Sequence, residues 1–350
     1  MNDLTANLFG ATRRQRIGRQ TADHARFAGA LGQLKKGTGT SPQRKNDGNT
    51  DRWLGASPLF QHTAIGGCGP LVMGVVLAWE MCIGSAPWVR MVWLAMSIYG
   101  GLKWLTWYRA FRRGQVKSLV RSIGYLVAWP GMDAAKFVDE QARPVRPSRG
   151  EWCFAAAKTL AGAAIFWKGW AWLMPTVPVL ASWVGFGGLI LTFHFGLFHL
   201  LALMWQRAGV ATEPIMDWPL LARSPNDFWS RRWNRAFRDI AFGVAFRPLA
   251  RWVGGAGAIL AIFAASGLVH DFVISIPAQA GYGLPTIYFL IQGAAILFER
   301  SKLGQRLGLK GGVKGRLFVA AVVLLPIGLL FHPPFIHRVV MPLLQAIRIN

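Results

Sequence analysis

The chain alternates between long apolar runs and short polar gaps, and this alternation predicts a bundle of membrane-spanning helices. A transmembrane helix needs about 20 predominantly apolar residues. Seven runs approach or exceed that length: 63–83, 87–107, 153–174, 179–205, 252–276, 284–298 and 317–331. We therefore predict an all-α, polytopic transmembrane protein with about seven spans.

Two further segments have apolar stretches that are shorter than these runs, over 122–129 and 335–347, and too short to cross a bilayer. The segment 122–138 begins with an apolar stretch that ends at Pro130 and Gly131. It is predicted to be an interfacial or re-entrant element. The segment 335–347 follows a Pro-Pro pair and is predicted to be a half-helix or an interfacial helix.

The first 55 residues differ from the rest in being polar, basic and rich in Gly, Ser, Thr and Asn. Such a composition cannot bury enough apolar surface to fold, so we expect a disordered tail. No apolar stretch follows its early arginines, which argues against a secretory signal. Residues 56–350 are then predicted to form one membrane-embedded domain.

The composition supports a membrane protein over a soluble one. Hydrophobic residues make up 53% of the chain, charged residues only 15%, and the mean hydropathy is +0.32. Charged residues usually account for about a quarter of a soluble domain. The net charge of +24 comes from basic residues in the gaps between apolar runs, and no compact basic module is readable, so nucleic-acid binding is not expected.

The positions of the lysines and arginines predict an orientation. They concentrate in the N-terminal tail and in three gaps, 109–149, 206–251 and 299–316, whereas the alternate gaps contain none. The positive-inside rule then places the N-terminus in the cytoplasm. Arg90 and Lys103 lie near the ends of the run 87–107, where long side chains can reach the interface. A composition rich in Arg, Ala and Gly suggests a bacterial inner membrane.

No metal site or disulfide framework is predicted. The three cysteines, Cys68, Cys82 and Cys153, are far apart in the sequence and have no metal-ligand spacing. Cysteines in apolar surroundings behave as small hydrophobic side chains. We expect all three to be packing residues.

His270 and Asp271 lie near the end of the apolar run 252–276. Ionisable side chains inside a membrane span are costly, and they usually serve a function. Histidine titrates near neutrality, which suits a general base. Asp271 is adjacent to His270 and points about 100° away on a helix, so we interpret it as a structural or cavity-lining residue.

A second informative stretch covers residues 223–239. Ser224 is predicted to cap a helix that has Pro225 at its first position. Aromatic residues then recur every three or four positions and predict one aromatic helix face: Phe228, Trp229, Trp233 and Phe237. Interleaved arginines make the flank cationic, which suits a ligand with an apolar tail and a phosphate-bearing head. Simpler interpretations are membrane packing for the aromatic residues and a positive-inside flank for the arginines.

These motifs resemble a known superfamily. The pattern Asp-Phe-Trp-x-Arg-Arg-Trp-Asn at 227–234, followed by Ser-Gly-Leu-Val-His-Asp at 266–271, resembles the membrane-bound O-acyltransferase superfamily. Trp-Pro-Gly-Met-Asp-Ala at 129–134 resembles its wax synthase branch. The likeness covers about residues 125–300. It implies that fold, and acyl transfer from acyl-CoA to the hydroxyl of a lipophilic alcohol.

The resemblance also implies roles for individual residues. His270 matches the catalytic histidine, and Asn234 matches a second polar position that either donates an N–H to the oxyanion or orients the substrate. The expected substrate-binding residues are Asp227, Trp229, Arg231, Arg232, Trp233 and Arg235. Acyl-CoA is expected as a cosubstrate, without a tightly bound cofactor. The oligomeric state stays open.

Two alternatives and one geometric conflict accompany this prediction. A transporter or flippase would use intramembrane polar residues as a pathway: Glu80, Lys158, Lys168, His194 and His270. Haem ligation would use His194, His199 and His270, although His194 and His199 lie about 140° apart on a straight helix. His270 also lies about 27 Å along a helix from Trp252, which is far from cytoplasmic acyl-CoA. Either the helix begins later, or a deep cavity reaches the histidine.

Overall fold

A computed structural model describes residues 58–349, and within them the chain forms helices joined by loops, with no strand. The predicted all-α class is confirmed for this part of the chain. The tail predicted over residues 1–55 and the cytoplasmic N-terminus lie outside the described residues. Two predicted boundaries agree closely with the structure: the run 87–107 is helical from Pro87 and the run 284–298 from Leu284.

Thirteen labelled helices set the frame of the molecule. They are α1 Pro58–Met81, α2 Pro87–Arg112, α3 Leu119–Ala128, α4 Ala134–Val138, α5 Arg149–Ala164, α6 Pro178–Arg207, α7 Pro225–Asp227, α8 Arg235–Ile240, α9 Pro248–Ala278, α10 Leu284–Arg300, α11 Lys302–Arg306, α12 Gly312–Leu330 and α13 Met341–Ile349. Wider π-type turns extend several of them. Ile165–Gly169 and Trp170–Leu173 continue α5, Phe228–Arg232 continues α7, and Pro333–Phe335 with Ile336–Val340 leads into α13.

Three of these helices are long and apolar enough to cross a membrane: α6, α9 and α12. They coincide with the predicted spans 179–205, 252–276 and 317–331. The other four predicted runs are helical as well, in α1, α2, α5 and α10. Their membrane crossing, and with it the total of seven spans, stays a prediction.

The predicted interfacial segment 122–138 forms α3, an extended linker and α4. Leu119, Val120 and Val127 of α3 are exposed, whereas Tyr125 is fully buried. A ten-residue helix with an apolar exposed side is too short to cross a bilayer and suits its interface. Its placement at the membrane interface stays a prediction.

The apolar segment 335–347 differs from the prediction of an interfacial helix. Its side chains Ile336, Val339, Val340 and Leu344 are all but completely buried in the main core cluster. They pack against α6 and α2. Because these four side chains meet other helices, the segment packs in the core, although Ile347 at its end is exposed. The half-helix alternative stays a prediction. The predicted break at Pro333 and Pro334 is confirmed, since His332 caps a new helix there.

Close packing of α9 on α10 positions the histidine. Gly267 of α9 allows this approach, because a Cβ at that position would lie 2.5 Å from the Cα of Thr286. The start of α9 is irregular, as its glycines suggest: Gly254 has φ 71°, ψ 172°. The regular helix before His270 is therefore about 23 Å long.

Candidate active site

The imidazole of His270 is held by its own helix. Nδ1 lies 2.7 Å from the carbonyl oxygen of Ser266, one turn earlier. A carbonyl oxygen only accepts hydrogen bonds, so Nδ1 carries the hydrogen and Nε2 keeps its lone pair. The side chain is half-buried. A neutral imidazole with an available Nε2 can accept a proton from a substrate hydroxyl.

Phe289 of α10 forms a wall beside this imidazole. The two ring centroids lie 4.4 Å apart with an interplanar angle of 41°, and Phe289 is 4% exposed. Sequence reasoning missed this residue. It is one of many large hydrophobic side chains in an apolar run, and only the packing of α9 on α10 distinguishes it.

Asp271 caps α10 and does not pair with His270. Its Oδ1 accepts hydrogen bonds from the backbone N–H of Gly283 at 2.8 Å and from the Ser275 hydroxyl at 2.8 Å. Its Oδ2 accepts from both the backbone N–H, at 3.1 Å, and the hydroxyl of Thr286. A carboxylate at a helix N-terminus satisfies donors that have no partner within the helix. These contacts favour the structural interpretation of Asp271.

The cap predicted at Ser224 is confirmed. Its hydroxyl oxygen accepts from the backbone N–H of Asp227 at 3.2 Å, and Pro225 occupies the first helical position. The single aromatic face predicted over 228–237 is wrong. The helix ends at Trp233, whose backbone is extended, and Asn234 has a left-handed backbone with φ 40°. Asparagine tolerates this conformation, and a new helix, α8, begins after it. Phe237 belongs to α8 and not to the helix that carries Trp229.

Trp229 connects the upstream motif to the histidine. Its Nε1–H donates to the Gln292 side-chain oxygen at 3.2 Å. Its ring lies 5.6 Å from Phe263 and 5.7 Å from Phe289. Because Phe289 also contacts His270, one aromatic side chain joins the 227–234 motif to the 266–271 motif.

Gln292 anchors this arrangement and was also missed from the sequence. It is completely buried, and its Nε2 donates to the Val322 carbonyl oxygen at 2.9 Å. A buried amide that both donates and accepts satisfies its polar atoms and fixes its neighbours. The polar residue inside the run 284–298 was a signal that could have identified it.

Asn234 has one polar group engaged in the fold. Its side-chain oxygen accepts from the backbone N–H of Phe237 at 3.2 Å and caps α8. This bond orients the amide so that its NH₂ group points elsewhere. Among the described residues no hydrogen bond joins Asn234 to His270. A role in binding the oxyanion therefore stays a prediction.

Trp233 packs against aromatic neighbours. It stacks on Phe228 with ring centroids 5.4 Å apart, and Phe195 of α6 lies 6.1 Å away. The side chain is half-buried. These contacts hold the end of the motif against α6.

The predicted substrate-binding arginines have carboxylate partners. Arg232 Nε lies 2.8 Å from Asp227 Oδ2, and Arg231 lies 3.8 Å from Asp227 Oδ1. Arg235 lies 3.3 Å from Glu213 and 3.9 Å from Asp217. The cationic flank is thus partly neutralised within the protein. Of the three, Arg231 is the most exposed, with 44% of its side chain accessible.

Glu213 links the segment 212–240 to α4, which follows the 129–134 motif. Its carboxylate pairs with Lys136 of α4, next to the 129–134 motif, as well as with Arg235. Burial raises the pKa of Glu213, but Arg235 and Lys136 outweigh that effect and hold it at about 2. Met132 of the 129–134 motif also packs in one buried cluster with Ala236 of α8.

Lys103 does not reach an interface, contrary to the prediction for its position. It is 1% exposed, and its ammonium donates to the Gly131 carbonyl oxygen at 2.6 Å. The ammonium also lies 3.2 Å from the centre of the Tyr125 ring. The folded linker of the 129–134 motif offers a carbonyl and a ring inside the bundle, so the lysine turns inward.

The end of α10 holds the start of α7. The backbone N–H of Asn226 donates to the carboxylate of Glu299 at 2.9 Å, and Arg300 donates to the Asn226 side-chain oxygen at 2.7 Å. Glu299 is 4% exposed. Helix α10 therefore positions both the aromatic motif, through its end, and the wall beside His270, through Phe289.

The histidines of the haem alternative make separate contacts. His199 Nδ1 lies 2.8 Å from Lys158 Nζ, and the His194 ring lies 5.3 Å from Phe198. Within residues 58–349 no group of three or more His, Cys, Asp or Glu side chains could hold a metal ion. An open groove of about 490 Å³ near the end of α9 is lined by Leu268, Asp271 and Thr286, among others, but not by His270. It belongs to a different face of α9.

Comparison with known proteins finds one family whose model matches part of this chain. Residues 212–291 match the model of the Membrane bound O-acyl transferase family. This range contains the 227–234 and 266–271 motifs, the wall residue Phe289 and most of the ion pairs described above. The linker motif at 129–134 lies outside it.

Three curated plant proteins show similarity. Long-chain-alcohol O-fatty-acyltransferase of Simmondsia chinensis is 32% identical over 143 residues, 37% of this chain and 40% of that protein. Two proteins of Arabidopsis thaliana, Probable long-chain-alcohol O-fatty-acyltransferase 9 and 2, are 28% and 27% identical, over 39% of this chain and 44% and 43% of their own lengths. The match thus spans less than half of each relative. Residues 212–291 are thus similar to the membrane bound O-acyl transferase family, and the relatives are named long-chain-alcohol O-fatty-acyltransferases, which confirms the resemblance predicted from the motifs.

Proposed function

We propose that this protein transfers an acyl group from acyl-CoA to the hydroxyl of a lipophilic alcohol, with His270 as the general base. The observation that carries the proposal is the bond from His270 Nδ1 to the Ser266 carbonyl, which leaves Nε2 able to accept a proton. The names of the plant relatives, long-chain-alcohol O-fatty-acyltransferases, support the acceptor and the acyl class.

The proposed reaction moves one proton through His270. Nε2 takes the proton of the alcohol as its oxygen attacks the thioester carbonyl carbon. The tetrahedral oxyanion collapses to the ester and expels the coenzyme A thiolate. The imidazolium then returns its proton to the thiolate, and the histidine is neutral again.

The Asn234 amide and a cluster of aromatic side chains assist the proposed reaction. The amide NH₂ of Asn234, turned away from its own cap, donates to the oxyanion or orients the substrate. Phe289 lies beside the imidazole and packs with Trp229 and Phe263, and this aromatic cluster suits a neighbouring hydrocarbon chain. Exclusion of water by such a cluster also protects the thioester from hydrolysis.

The residues of the 227–235 segment are proposed to bind the donor. Arg232 and Arg235 hold the segment in place through Asp227 and Glu213. Arg231 and Trp233 complete the set of substrate-contacting side chains in this proposal. No tightly bound cofactor takes part, since the thioester itself supplies the activated acyl group.

The protein is proposed to span the membrane seven times with a cytoplasmic N-terminus. The apolar helices α6, α9 and α12 support an integral membrane protein. The basic residues fall in alternate gaps, which supports this orientation. The composition favours a bacterial inner membrane.

The experiment that tests the proposed reaction is an alcohol-dependence assay. Membranes containing the full chain are incubated with palmitoyl-CoA and a series of primary alcohols, and both thiol release and ester formation are measured. Thiol release that rises with the added alcohol, and matches the ester formed, supports acyl transfer. Thiol release that is independent of alcohol, or no ester with any alcohol, contradicts it.

A further inference from the structure

A lysine and a histidine meet between α5 and α6. Lys158 Nζ lies 2.8 Å from Nδ1 of His199. An ammonium group only donates, so Nδ1 of His199 accepts this hydrogen bond and the imidazole carries its hydrogen on Nε2. Both side chains are half-buried. The pair therefore holds one positive charge inside an apolar helix pair.

Aromatic rings border this charge. The ammonium of Lys158 lies 4.5 Å from the centre of the Phe154 ring, and Trp218 stacks on Phe154 with centroids 4.5 Å apart and an interplanar angle of 13°. Trp218 has φ 50°, a left-handed backbone that is unfavourable for a bulky residue. Arg232 donates to its carbonyl oxygen at 3.2 Å. Strained residues held in this way are concentrated at binding sites.

The ammonium of Lys158 has no carboxylate partner in the described part of the chain. Within residues 58–349 no carboxylate forms an ion pair with Lys158, whereas the nearby arginines of the 227–239 segment all have one. An ammonium has three donor hydrogens, and His199 accepts one of them. An unpaired charge in apolar surroundings is costly, so a ligand that brings an anion there is stabilised.

The location suits a ligand that approaches from the basic side of the bundle. Phe154 is near the start of α5 and His199 near the end of α6, and these ends coincide because the two helices run antiparallel. Trp218, on the segment that follows α6, covers the same end. The positive-inside prediction assigns that end to the cytoplasm.

We propose that Lys158, with His199, binds the phosphate group of an amphipathic ligand, and that Phe154 and Trp218 pack against its uncharged part. Lysine acts as a point charge toward phosphate. The phosphate belongs either to an anionic phospholipid headgroup or to a soluble ligand such as coenzyme A. For coenzyme A the inference rests on the proposed function. Its test measures binding without acyl transfer, so the two can fail separately.

Two binding measurements distinguish these sources. The full chain is reconstituted in nanodiscs of phosphatidylcholine, and the Kd for coenzyme A is measured from tryptophan fluorescence, which Trp218 is placed to report. In parallel, discs that contain phosphatidic acid are used, and native mass spectrometry measures how much of this lipid the protein retains. The variants are Lys158→Met, Lys158→Gln and Lys158→Arg. Lys168→Met serves as the matched control, since Lys168 is an exposed lysine on the same helical segment.

The neutral variants are expected to weaken one of the two interactions by about ten-fold or more, the size of a charge-assisted hydrogen bond. Lys158→Arg and Lys168→Met are expected to stay near wild type. A change in coenzyme A binding alone identifies the soluble ligand, and a change in lipid retention alone identifies the headgroup. Wild-type protein that shows neither interaction overturns the proposal, as does an equal loss in Lys168→Met or no loss in the neutral variants.

Discussion

Trp229 and Phe289 lie with their ring centroids 5.7 Å apart, and this contact joins two motifs that are about 40 residues apart in the chain. Phe289 also contacts His270, with the two ring centroids 4.4 Å apart. Trp229 is fixed in turn by its hydrogen bond to Gln292. The orientation of the proposed catalytic imidazole therefore depends on packing between α7 and α10 as well as on its own helix.

Replacing the wall residue is expected to impair the reaction. Phe289→Leu removes ring contacts with both His270 and Trp229, so we expect the rate per folded protein to fall about ten-fold, equivalent to about 1.4 kcal/mol in the barrier. The measurement is the initial rate of ester formation, normalised to folded protein. Phe298→Leu replaces an exposed phenylalanine of the same helix and is the matched control. A rate that is unchanged in Phe289→Leu would show that the wall does not orient the imidazole.

Gln292 is expected to matter for stability. Gln292→Leu leaves the Trp229 N–H and the Val322 carbonyl without their buried partner, at a cost of about 1–3 kcal/mol. Thermal unfolding in detergent, followed by tryptophan fluorescence, should show a lower Tm. Gln305→Leu removes a hydrogen bond to Arg300 at an exposed position and should leave the Tm near wild type. Equal Tm values for the two variants would contradict the anchoring role.

Asp271 is expected to affect stability more than catalysis. Asp271→Asn replaces one acceptor oxygen of the α10 cap with an NH₂ group, which faces donors from Gly283, Ser275 or Thr286. We expect a loss of about 1–3 kcal/mol in unfolding free energy, with activity per folded protein close to wild type. Asp139→Asn, in an exposed turn, is the control. Normal stability with activity abolished would instead assign Asp271 a catalytic role.

The Glu213 ion pairs predict a pH dependence. The pKa of Glu213 is about 2 in the folded protein, below its ordinary value of 4.5. A lowered folded-state pKa contributes stability that is present above the ordinary value and is lost as the pH falls toward 2. Because 49% of the side chain is exposed, the effect should stay below about 1 kcal/mol. Glu213→Gln should therefore have a flatter decrease in Tm between pH 5 and pH 3 than wild type, and identical curves would contradict the pairing.

Much of the helix layout could be predicted because apolar length alone defines it. The runs 179–205, 252–276 and 317–331 agree with α6, α9 and α12 to within a few residues. The cap at Ser224 depends on local chemistry and was predicted for the same reason. The structural role of Asp271 followed from the angle between adjacent residues on a helix.

The errors share a different cause, which is tertiary context. Periodicity continued the aromatic helix through Asn234, although a left-handed asparagine interrupts it. Lys103 was assigned to an interface because a sequence shows neither the Gly131 carbonyl nor the Tyr125 ring that receive it. Phe289 has no distinguishing signal until α9 and α10 are packed. The arginine partners Glu213 and Asp217 lie outside the motif that drew attention to the arginines.

The role of His270 is tested most directly by comparing two histidine variants. His270→Ala removes the proposed base, and His194→Ala removes another histidine from a candidate membrane span. Ester formation from palmitoyl-CoA and a long-chain alcohol is measured in membranes and normalised to folded, inserted protein. We expect a loss of about 10²-fold or more in His270→Ala and a rate near wild type in His194→Ala. Full activity in folded His270→Ala would contradict the assignment of His270 as the catalytic base.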